Sequence, residues 1–204
     1  MNFAEYNVKD ANLEEVLLAL KSLDTVEAVA LGGSRSTGAS DENSDYDIYV
    51  YCAEIPTAET RENLLGKYCS IAEFGNHYWE SEDNTVMNNG VPVDIIYREV
   101  DRFGRYIDTV IKGGKAFNGY TTAFWHNIKN SKVLFDKTGT FTKFRDMAQI
   151  DFLENLRSAI IKNNRNLLNG KLPSYDRQIK KAQERGDIVS VNHRITAFLE
   201  SYFD

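Results

Sequence analysis

The sequence has only two cysteines, Cys52 and Cys69. Two separated thiols make neither a metal-ligand pattern nor a disulfide framework, so reduced thiols in a cytoplasmic protein are expected. No apolar run is long enough to span a membrane, and the N-terminus lacks a basic-then-apolar leader. Positive charge is short as well: 24 Lys and Arg stand against 30 Asp and Glu, a net charge of −6. Binding to a nucleic-acid duplex is therefore disfavoured, since it needs a basic face. A cationic small substrate suits the acidic balance better. Repeats and low-complexity segments are absent too. The composition, 42% hydrophobic and 26% charged, is that of a globular chain with one domain or a domain and an extension.

Two nucleotide motifs are also missing. There is no Gly-x-Gly-x-x-Gly, so a dinucleotide fold has no fingerprint. Gly33-x4-Gly38 has the glycine spacing of a Walker A loop, but Ala39 stands where that loop needs lysine.

What is present is the stretch LGGSRSTGASDENSDYDIYVY, Leu31 to Tyr51. The apolar run Val26–Leu31 ends in Gly32-Gly33-Ser34, and Asp45-Tyr46-Asp47 opens a second run, Ile48–Tyr51. The pattern reads as strand, glycine turn, helix start, loop, strand. Strand alternation puts Asp45 and Asp47 on one face. Two carboxylates 4 Å apart repel by roughly 4 kcal/mol at an effective dielectric of about 20, which a cation between them would relieve. Oxygen-only ligands suit Mg²⁺ or Mn²⁺. The glycines let backbone amides approach a phosphate, and a helix start adds its positive end. Together these features point to metal-assisted chemistry on a nucleoside triphosphate.

Upstream, Leu13, Val16, Leu17 and Leu20 have helical spacing, with Asp10 or Asn12 as cap. A helix is expected over 57–68, then two irregular strands at 71–79 and 83–88. Asp41–Ser44 reads as an exposed acidic loop. His77, Tyr78 and Trp79 invite a binding-site reading; a lone histidine among aromatics is more often a packed core or edge residue, with ligand contact as the alternative. Asn89-Gly90 turns the chain into Val91–Tyr97, apolar on both faces except at Asp94. A carboxylate there needs a partner or a metal, and hairpin geometry would carry Asp94 to Asp45 and Asp47. A helix over 99–111 and a strand over 132–136 follow. From Ile150 the pattern is helical only, with Phe152, Leu153 and Leu156 opening one helix and Phe198, Leu199, Tyr202 and Phe203 closing the last. The apolar end of that helix is expected to be covered by a second copy of the chain or by a further C-terminal segment.

Gly-Gly-Ser, a spacer, then Asp-x-Asp in a strand resembles the signature of the DNA polymerase β-like nucleotidyltransferases, over roughly residues 25–100. The small bacterial stand-alone enzymes that modify antibiotics are the nearest in plan. The resemblance implies an α+β fold: a small mixed β-sheet backed by helices as a catalytic domain, 1–149, followed by a C-terminal helical region, 150–204, incomplete at its end. It implies transfer of a nucleoside monophosphate, ATP being the expected donor, to a hydroxyl of a small molecule, and the acidic balance of the chain makes a cationic acceptor the first expectation. Gly32, Gly33, Ser34 and Arg35 would bind the nucleotide. Asp45 and Asp47 would hold Mg²⁺ or Mn²⁺, and Asp94 would complete a second metal site or act as the base. Two alternatives stand beside this: transfer to a protein or tRNA, and an inactive nucleotide-binding or toxin–antitoxin module.

Overall fold

The computed structural model describes residues 10–41, 44–151 and 153–204. The expectations for Glu42, Asn43 and Phe152 lie outside the described residues. The chain divides into two compact units, the first holding the described residues up to Arg105 with Asn127–Ala148, the second Tyr106–His126 with Gln149–Asp204.

The first unit is a six-stranded mixed sheet. Its strands are β1 (Val26–Leu31), β2 (Tyr46–Cys52), β3 (Cys69–Asn76), β4 (Ser81–Met87), β5 (Pro92–Glu99) and β6 (Lys132–Asp136), in spatial order β3-β4-β5-β2-β1-β6. Among the described residues only the β2–β5 pair is parallel. Helix α1 (Ala11–Lys21) starts at Asp10, whose carboxylate accepts from the amides of Asn12 and Leu13 at 3.0 and 3.3 Å. Of the two caps open from sequence, Asp10 is the one used.

Side-chain alternation gives the sheet two different faces. One packs Tyr46, Ile48, Val50, Val93, Ile95 and Tyr97 against Leu13, Leu17 and Leu20 of α1 in the main core. After the five-residue α2 (Gly33–Thr37), α3 (Ala58–Leu65) also contributes, through Leu65. A buried ion pair joins Arg61 of α3 to Asp83 of β4 at 3.0 Å. The opposite face carries Asp47, Tyr49, Tyr51, Asp94, Ile96 and Arg98. Its far end is closed by Tyr51 edge-on to Phe103 of α4 (Val100–Ile111), with ring centroids 5.3 Å apart.

Helix α5 (Ala123–Asn130) leads into β6, and β6 into a helix the sequence reading left out, α6 (Thr140–Ala148). Asp136 supplies its cap, accepting from the Thr142 amide at 2.9 Å, and Phe141, Phe144 and Ala148 form its buried stripe. The second unit is helical: α7 (Glu154–Arg165), a π-turn over Asn166–Gly170, α8 (Tyr175–Glu184) and α9 (Ile188–Phe203), together with the segment 106–126. No described helix is long and apolar enough to cross a membrane. The α+β architecture is thus as expected, a mixed sheet backed by helices and then a helical region.

Candidate active site

Parallel pairing of β2 with β5 sets Asp47 directly beside Asp94. The route differs from the expected one. The Asn89-Gly90 hairpin joins β5 to β4, and it is the non-hairpin neighbour β2 that meets Asp94. On the other side of β2 the Gly32 amide donates to the Asp47 carbonyl at 2.9 Å. On the other side of β5, Asn84 is the register partner of Asp94. Gly32, Asp47, Asp94 and Asn84 therefore form one row across four neighbouring chain segments.

Gly33 opens α2 at φ +58°, where glycine is favoured. A Cβ added there would overlap the Asp47 carboxylate oxygen Oδ2. The reading from sequence left Gly33 bare for a phosphate; the structure adds that it is bare because Asp47 lies against it. A Cβ on Gly32 would likewise collide with the Tyr49 ring. Ser34 occupies the first turn of α2, a place where backbone amides have no helical acceptor.

Arg35 is used close to home. Its guanidinium donates to the carbonyls of Ser44 and Asp45, the latter at 2.9 Å, and stacks 4.0 Å from the Tyr46 ring centroid. It fixes the segment that delivers Asp45 and starts β2. Lys132 on β6, which the sequence reading passed over, donates to the Arg35 carbonyl at 3.3 Å.

The electrostatics are those of crowded carboxylates. Burial, and then the charges of Asp45 and Asp94, push the Asp47 carboxyl above its usual range. Burial and Asp94 push Glu82 on β4 the same way, and Glu80 and Asp83 add to it. A hard cation would relieve this, and the donors are all oxygen. Among the described residues no group of three or more His, Cys, Asp or Glu side chains could by itself hold a metal ion. Magnesium does not need one, since it is commonly held by one or two carboxylates with waters and substrate phosphates. The adjacent Asp47 and Asp94 fit that use.

Asn84 was invisible to motif reasoning. It donates to Asp94 Oδ1 at 2.9 Å and accepts from Asn76 at 2.6 Å. An asparagine on an irregular strand carries no signal until the register is known.

No curated protein matches the chain. A structure solved as the crystal structure of a toxin–antitoxin with AMP-PNP aligns over 77% of this chain and 95% of its own, at 15% identity and a TM-score of 0.41. That likeness is too slight to carry an argument. The pattern of a family described as nucleotidyltransferase domain matches residues 13–117, just over half of the chain and all of the strands that build the site except β6. The glycine turn, the Asp45/Asp47 pair and Asp94 all fall inside that match, and the chain belongs to the nucleotidyltransferase domain family of the polymerase β-like superfamily.

Proposed function

We propose that the chain moves a nucleoside monophosphate from a nucleoside triphosphate, ATP first among the candidates, to a hydroxyl acceptor, with pyrophosphate leaving. The observation that carries this is the packing of the Gly33 backbone against the Asp47 carboxylate, with Asp47 in register with Asp94. Phosphate-approaching backbone and cation-binding oxygens then share one place. In this reading Asp45 and Asp47 hold Mg²⁺ or Mn²⁺ with the triphosphate, and the start of α2 at Gly33 and Ser34 donates amides to the outer phosphates. Asp94 completes the cation site or takes the acceptor proton. When bound, the ion would supply Lewis-acid stabilisation of charge on the phosphoryl oxygens. Arg35 acts by holding the Asp45 segment in place. Catalysis is assigned to residues 1–149 and accessory packing to 150–204.

The acidic strip of Glu82, Asp94 and Asp47 suits a small cationic acceptor. A protein hydroxyl is the second reading. It is favoured by Tyr78 and Trp79, large aromatics that are 83% and 89% exposed. Leu199, Tyr202 and Phe203 of α9 are exposed as well, which would also suit pairing of two copies; light scattering reads that directly.

The test is label transfer. Purified chain is incubated with each α-labelled triphosphate in Mg²⁺ or Mn²⁺, and with cationic antibiotics, neutral antibiotics, protein or tRNA. Label should move to one acceptor class and stay behind with Asp47→Asn. Absence of both triphosphate binding and label transfer in the wild-type chain sinks the reading.

A further inference from the structure

Asn84 and Asp94 are direct cross-strand neighbours in the antiparallel β4–β5 pair. Asn84 Nδ2 donates to Asp94 Oδ1 at 2.9 Å, and Asn84 Oδ1 accepts from Asn76 Nδ2 at 2.6 Å. All three side chains are half-buried. The chain of bonds has a direction. An ionised carboxylate only accepts hydrogen bonds, so Asn84 must turn its amide nitrogen to Asp94 and its oxygen away. That oxygen then needs a donor, and Asn76 at the end of β3 supplies it. Each bond selects the orientation that the other requires, and the two polarise each other. The fold does not need this chain to hold its strands, because β3–β4 and β4–β5 are already joined by backbone ladders.

We propose that Asn84, oriented by Asn76, is a positioning residue for Asp94. It commits Oδ1 and so fixes the plane of the carboxylate, leaving Oδ2 for the divalent cation that Asp47 and Asp94 would hold. This rests on the reading of the site given above. Residues that orient a metal-binding carboxylate typically cost about 10–100-fold in metal affinity when lost. Asn76 acts one bond further out, with a smaller effect in the same direction.

The probe is Mn²⁺, titrated by calorimetry and by its electron-spin signal, with a non-hydrolysable ATP analogue present and absent. Asn84→Leu keeps much of the volume and loses the donor; its Mn²⁺ affinity should fall about tenfold. Asn84→Gln keeps a donor and should recover part of the loss. Asn76→Ala leaves Asn84 in place but lets its amide turn, and should weaken Mn²⁺ binding less. Melting in EDTA separates this from a packing role, which would lower stability without changing Mn²⁺ affinity. Wild-type Mn²⁺ affinity in a folded Asn84→Leu overturns the proposal and leaves the site reading standing. If Asn84→Leu does not fold, Asn76→Ala decides: unchanged affinity there overturns it as well. A wild-type chain that takes up no Mn²⁺ in either condition overturns the site reading and this proposal with it.

Discussion

At the scale of single residues, the site crowds like charges together. Asp47 has a folded-state carboxyl raised by burial and by two like-charged neighbours. Between the unfolded pKa and this higher folded value, the native state binds more protons than the unfolded one. Cation-free stability therefore falls as pH rises through the carboxylate range. Asp47→Asn should raise the melting temperature in EDTA at neutral pH. The gain should fade as pH drops below the unfolded carboxylate pKa. The group is partly exposed and screened, so the effect should be of order 1 kcal/mol or less, roughly 2–4 °C in a chain this size. A melt series in EDTA from pH 3.5 to 8 reads it, and equal melting of both proteins at neutral pH would contradict the argument. Gly33→Ala fails for a different reason. It places a Cβ at φ +58° and into the Asp47 carboxylate. The left-handed conformation alone costs about 1–2 kcal/mol for a residue with a Cβ, and the displaced Asp47 should lower Mn²⁺ affinity in calorimetry. Undiminished Mn²⁺ binding would separate the glycine from the cation site.

At the scale of elements, α3 is tied to the sheet by Arg61 and Asp83, 2% and 0% exposed. Asp83 also accepts from the Gly75 amide at 2.9 Å, and the Arg61 guanidinium lies 4.4 Å from the Tyr97 ring centroid. Arg61→Leu would strand a buried carboxylate, a loss of about 3–5 kcal/mol, whereas replacing both partners with Leu should restore much of it. Urea midpoints of the three proteins check this; a double variant as weak as the single one would show that the pair itself is required. Such pairs illustrate what the sequence could not display. Alternation in Tyr46–Cys52 and the helical spacing of Leu13, Val16, Leu17 and Leu20 are local, and both elements form as they read. Asp94 was legible because a lone carboxylate in an apolar strand demands a partner. Its route to Asp47 was not, because parallel pairing of β2 with β5 is a choice of topology. Helix α6 was missed because its cap, Asp136, lies in the preceding strand. Asn84 and the second reason for Gly33 depend on which atoms the register brings together, which spacing alone does not record.

At the scale of the whole chain, the second unit is built from two separated pieces, 106–126 and 149–204. The first unit resumes between them, with α6 and β6. A discontinuous unit needs bonds that close a long loop, and one carboxylate supplies two of them, from Thr121, with a third, from Asn164, inside its own piece. Asp204 accepts from the Thr121 amide at 2.7 Å, from the Thr121 hydroxyl at 2.9 Å and from Asn164 Nδ2 at 2.9 Å. Thr121 is fully buried and Asn164 nearly so, so losing the acceptor leaves the Thr121 amide and Asn164 Nδ2 unpaired, each at about 1–3 kcal/mol, while the Thr121 hydroxyl keeps the Phe117 carbonyl at 3.2 Å. The penalty falls on this unit, because none of the three partners lies in the sheet. Asp204→Ala should therefore speed hydrogen exchange at 117–124 and along α7, and lower the urea midpoint of that unit. Exchange in β2 and β5, and Mn²⁺ affinity, should stay at wild-type values. Thr121→Val removes the hydroxyl, which donates to Asp204 and accepts from the Phe117 amide at 2.9 Å, but keeps the Thr121 amide bond to Asp204, and should cost less than Asp204→Ala. If exchange at 117–124 does not change in Asp204→Ala, the segment is held by its other contacts, among them the bonds from Asn163 Nδ2 to the Phe117 carbonyl and to Asn118 Oδ1, both at 3.0 Å, and the carboxylate is incidental to the closure.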